Sequence, residues 1–84
     1  MGSGILLDVK PPLYDVVLVR DVIAGSPAAH AGAQRGDRIV RIRVGGGKSL
    51  SATSLTQVYK ALAKPNEHIT LYLSRSGKNV KISF

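Results

Sequence analysis

Residues 24–42 read AGSPAAHAGAQRGDRIVRI, and the order of stops and starts in them decides the fold. Ser26 is a good N-cap, because its hydroxyl can accept an otherwise orphaned amide of the first helical turn. Pro27 follows at the first helical position, where its missing N–H costs nothing, and Gly32 supplies a left-handed stop. Those signals confine the helix to Pro27–Ala31. Gly36-Asp37 then makes a turn, and Ile39, Ile42 and Val44 open a β-rich run interrupted by Arg38, Arg41 and Arg43, a strand with a basic exposed side. Helices this short cannot cover both faces of a parallel sheet, which favours a mostly antiparallel β structure.

Outward from this block the chain is short strands. Upstream, Val16–Val22 (VVLVRDV) is β-branched and bounded by Asp15 and by Ala24-Gly25. Before it, Ile5–Val9 is apolar apart from Asp8 and stops at Lys10-Pro11-Pro12, since consecutive prolines offer no ladder donors. Downstream, Gly45-Gly46-Gly47 closes the central strand and a polar segment leads to Ser54. Ser54 with Gln57 fits a capping box, and Leu55, Val58, Tyr59 and Leu62 recur at helical spacing until Pro65, so a second helix is expected over 55–63. Ile69, Leu71 and Leu73 alternate with polar residues, Arg75-Ser76-Gly77-Lys78 makes a tight turn, and Val80, Ile82 and Phe84 alternate again. The expected class is mostly β with two helices (α+β): a small antiparallel β-sandwich or partial barrel capped by one short and one longer helix.

Length and composition set bounds on function. Eighty-four residues make one domain, and 44% hydrophobic content with no long polar tract places the chain among globular sequences. Met1-Gly2-Ser3 reads as a vector-derived start, leaving 4–84 as the domain, cut from a longer protein. The absence of cysteine excludes disulfides and thiolate metal sites. No apolar run approaches the ~20 residues of a membrane span, and no series resembles a signal peptide.

The motifs that suggest chemistry are weak. Gly45–Ser49 (GGGKS) invites a phosphate loop, but that pattern needs a glycine five places before Gly47, where Ile42 stands. His30 and His68 carry no nucleophile or elbow motif, and with Asp8, Asp15, Asp21, Asp37 and Glu67 they show no metal spacing. Asp37 reads as a structural turn residue. The net charge of +7 points toward anionic partners, yet the basic residues are scattered and no aromatics interleave with them as a nucleic-acid stacking platform requires. No catalytic residue, metal or cofactor is expected.

The element order, the Gly-Ser-Pro-Ala-Ala, Ala-Gly and Gly-Asp series of residues 24–42, and the capped helix followed by HITLYLSRSGKNVKISF resemble a PDZ domain of the bacterial, protease-associated type. The resemblance implies a non-catalytic peptide-binding module that captures C-terminal or extended segments by β-strand addition, regulatory to a protease, with a periplasmic or cell-envelope location and a monomeric isolated domain. It implies a carboxylate loop at Ser3, Gly4, Ile5 and Leu6, an edge strand at Leu6, Leu7 and Asp8 that pairs with the ligand, and a helix on which Leu55 reads the ligand residue two before its terminus while Tyr59 and Leu62 line the same groove. Three features depart from the family: the strand that usually precedes the loop is absent, Ser3 stands where the family usually has an apolar residue, and Gly45-Gly46-Gly47 replaces the usual Asn-Gly turn. Because the loop is expected to be exposed, a bulky residue at Gly4 is expected to spare the fold. The rival readings are a structural or docking domain with an occluded groove and a basic nucleic-acid binder.

Overall fold

The computed structural model describes residues 4–10, 16–63 and 68–84. Its elements are β1 Ile5–Lys10, β2 Val16–Val22, α1 Pro27–Ala31, β3 Arg38–Val44, β4 Leu50–Ser51, α2 Leu55–Leu62, β5 Ile69–Arg75 and β6 Lys78–Ser83. Every strand pair is antiparallel, in the sheet order β1-β2-β3-β5-β6 with β4 added to β3. The architecture is the mostly antiparallel sheet with two helices expected from the sequence, with β4 as an additional two-residue strand.

Local chemistry accounts for α1. The Ser26 hydroxyl accepts the Ala29 N–H at 3.2 Å, Pro27 holds the first helical position, and Gly32 closes the helix at φ 103°. The Gly32 N–H donates to the Ala29 carbonyl at 3.1 Å and the Ala33 N–H to that of Ala28 at 3.0 Å, so those two carbonyls of the short helix are satisfied. Ala28 is fully buried, which seats the short helix on the core.

Ser54 caps α2 by accepting the Gln57 N–H at 3.1 Å. Gln57 does not return to Ser54's own amide as a capping box would; its Oε1 accepts the Thr53 N–H at 2.7 Å and its Nε2 donates to the Ser51 carbonyl at 2.8 Å. The helix is thereby tied to β4. Pro65, the expected stop, lies outside the described residues.

The central strand resolves a conflict in its own pattern. Ile39 and Ile42 are 1% and 2% exposed, yet three residues apart they would face opposite sides of a regular strand. A register shift between Ile39 and Arg41 makes Val40 the extra residue of a bulge, and its carbonyl accepts the Ala52 N–H at 2.9 Å. β5 runs along one edge of β3, while the other edge is shared, Arg38 and Ile39 pairing with β2 and Arg41 and Ile42 with β4. At that split a single sheet can wrap its core: Val17, Val19, Ile39, Leu71 and Leu73 from the strands and Val58 from α2.

One polar group is built into this interior. Asp37 is 1% exposed; it accepts the Gln34 N–H at 2.9 Å and two bonds from Arg75, Nε and Nη2 at 2.8 Å each. Arg75 Nη2 also donates to the Gly32 carbonyl at 2.8 Å, so one guanidinium joins the end of β5 to the α1 stop and to the turn before β3. Burial opposes the charge on Asp37, but the bonds from Arg75 and from the Gln34 amide outweigh it and hold the carboxyl below the ordinary range. Asp37 is the structural turn residue the sequence suggested, with a charge partner 38 residues away.

Candidate functional site

Among the described residues β1 ends the sheet and is paired along its inner edge, to β2. Its register against β2 shifts between Leu6 and Leu7, where Arg20 becomes the extra residue. Beyond that bulge Leu7 lies opposite Val19. The Val19 N–H donates to the Asp37 carbonyl and the Val19 carbonyl accepts the Gly36 N–H, both at 2.8 Å, so the polar groups of Val19 face away from β1. Leu7 across from it is therefore in a non-hydrogen-bonded pair, and its N–H faces outward, toward α2.

That outward donor is occupied. The Tyr59 hydroxyl reaches from α2 and accepts the Leu7 N–H at 2.8 Å. Two residues on, Val9 has the same orientation by strand alternation, and its N–H donates to Oδ1 of Asp8 at 2.8 Å. Both outward donors of the middle of β1 thus have side-chain partners. Such coverage is one way to keep a sheet edge from pairing indiscriminately.

The residues singled out from the sequence fall into two groups. Ile5, Leu7 and Leu62 are buried members of the apolar core, and Leu55 is half-buried against it. Their side chains pack inward against the core. Leu6 is half-buried, Asp8 is exposed, and Tyr59 is 37% exposed, with its hydroxyl bonded to the strand edge. Ser3 lies outside the described residues. His30 and His68 are exposed and far apart in sequence, on α1 and at the start of β5.

Gly4 departs from expectation. It is half-buried, at φ 87°, and its carbonyl accepts the Ile23 N–H at 2.8 Å, so it is tied to the segment entering α1. A Cβ at this position would collide with Cβ and Oγ of Ser26, the α1 cap. The expectation that a bulky residue there would spare the fold is therefore incorrect. The neighbour that sets this limit lies 22 positions away in the chain.

Two concavities flank the β1–α2 edge. One of about 500 Å³ lies at the start of β1, between Gly4–Leu6 and the Ile23–Pro27 segment. The other, about 330 Å³, lies on the far side of α2, with Ile42, Leu50 and Ala61 as apolar lining and Lys48 and Lys60 beside them. No helix among the described residues is long and apolar enough to cross a membrane. An edge strand with outward amides beside an amphipathic helix can accept an extended peptide as one more strand. The sequence identified the two elements but not the hydroxyl that bridges them.

A family model described as PDZ domain matches residues 18–75. The chain is also similar in structure to the PDZ domain of a carboxy-terminal protease from Vibrio cholerae, solved in complex with peptide, with a TM-score of 0.78 and 22% identity over 98% of this chain and 88% of that one. No curated protein matches this chain.

Proposed function

The chain belongs to the PDZ family of peptide-binding modules, and from that premise we propose that its ligand is the C-terminal or extended segment of a protein, added antiparallel to the outer edge of β1. The observation that supports this is the outward orientation of the Leu7 and Val9 amides beside α2. A peptide main chain offers carbonyls at the repeat those amides require, and main-chain bonds carry affinity while pockets for alternate side chains carry choice.

In this reading the terminal carboxylate meets backbone amides of the loop at Ser3, Gly4, Ile5 and Leu6, where glycine's positive φ turns the backbone toward an anion. Ile5, Leu7 and Leu62 floor the site of the terminal side chain, and Leu55 meets the residue two before it. Leu6, Leu7 and Asp8 supply the strand, and the +7 charge draws acidic ligands toward the domain. The module is non-catalytic, works alongside a protease in a longer protein, and is a monomer on its own; the likeness to a protease PDZ domain supports that association.

The hydrogen bond between Tyr59 and Leu7 favours a second reading, a docking domain whose groove is permanently shut. Calorimetric titration of the acidic hexapeptide N-acetyl-EESVAV, as free acid and as C-terminal amide, separates the two. Carboxylate capture predicts ~10-fold or greater loss on amidation, the worth of a charge-assisted contact. Equal affinities would remove the carboxylate hook, and no heat with either form would favour the shut groove.

A further inference from the structure

We propose that the Tyr59 hydroxyl is a latch that holds the place of a ligand carbonyl and must be released for each binding event. The proposal rests on the peptide-binding reading above. Leu7 has a single amide proton, directed out of the sheet, and in the free domain the Tyr59 hydroxyl accepts it at 2.8 Å. An added strand needs that same donor for its own main-chain carbonyl. The two acceptors compete for one proton, so strand addition replaces a bond within the domain by a bond to the ligand.

The surroundings make exchange feasible. Tyr59 is 37% exposed, so its ring can turn into solvent without opening the core, and side chains of this kind change rotamer far faster than peptides dissociate. Val58 and Leu62 are the buried residues of α2 and hold it on the core, so release moves one exposed side chain and not the helix. The Asp8 carboxylate covers the next outward donor, at Val9, in the same way. With both donors satisfied internally, the free edge does not template pairing with a second copy of the chain, and only a ligand that supplies carbonyls in register recovers what it displaces.

Tyr59→Phe tests the latch, because it deletes the acceptor and keeps the ring. Deletion removes a bond from the free state alone, so N-acetyl-EESVAV should bind about 2- to 10-fold more tightly, the worth of one neutral hydrogen bond. Hydrogen exchange at the Leu7 amide of the free domain should quicken. The same peptide should shift the amide resonances of Leu7, Asp8 and Leu55 in both proteins. Shifts at those residues with unchanged or weaker affinity in Tyr59→Phe, or unchanged Leu7 exchange, would overturn the latch and leave the peptide site standing. Absence of shifts at those residues in both proteins would overturn the peptide site and the latch with it.

Discussion

Gly4→Ala should destabilise the domain although it adds one methyl group at the margin of the sheet. Gly4 sits at φ 87°, where an L side chain costs about 1–2 kcal/mol. Its new Cβ would also strike Ser26, whose hydroxyl caps α1 through the Ala29 N–H. Displacing a cap costs about 1 kcal/mol, so the sum is about 2–3 kcal/mol. For a domain of this length that corresponds to a fall of roughly 10–20 °C in the melting temperature. Circular dichroism melts of the wild type, Gly4→Ala and a Gly46→Ala control provide the assay. The control is apt because a Cβ at Gly46 meets nothing within 4 Å and Gly46 does not have a positive φ. Two superimposable melts for the wild type and Gly4→Ala would refute both the collision and the strain.

Gly32→Val should cost about 1–3 kcal/mol in urea unfolding, because φ 103° at the α1 stop suits a β-branched residue poorly although the space is open; peptide affinity of the folded fraction should hardly change. Arg75→Ala should cost about 2–3 kcal/mol at neutral pH, somewhat below the loss for a fully buried pair because the Arg75 side chain is 29% exposed. The Asp37 carboxyl is lowered on folding, so its contribution is present above the ordinary carboxylate range and is lost as pH falls through the lowered value. The stability gap between the wild type and Arg75→Ala, measured by urea unfolding across the acid range, should close in that window; a gap independent of pH would show that Arg75 acts through packing alone.

What the sequence made legible was local. The α1 boundaries follow from Ser26, Pro27 and Gly32, which act on their own turn, and the β5–β6 hairpin follows from Ser76 and Gly77, both at positive φ in a two-residue turn. β4 escaped because Leu50 and Ser51 are both exposed and form a strand only through β3 and the Gln57 side chain. The odd spacing of Ile39 and Ile42 was a usable sign of the bulge at Val40, since two buried residues three apart cannot share the face of a regular strand. The candidate site was legible only as two elements that the structure contains, an edge strand and an amphipathic helix. The contacts that define it were not: Tyr59 meets Leu7 across 52 positions, and Gly4 meets Ser26 across a turn of the fold, and neither distance leaves a trace in local pattern.

A crystal structure of the domain with N-acetyl-EESVAV would decide whether β1 accepts a ligand strand. The peptide should lie antiparallel to β1, with a peptide carbonyl on the Leu7 N–H, the Tyr59 hydroxyl withdrawn from it, and the terminal carboxylate at the Gly4 loop. A peptide seated instead in the cavity behind α2, against Ile42, Leu50 and Ala61, with the Tyr59–Leu7 bond intact, would contradict it.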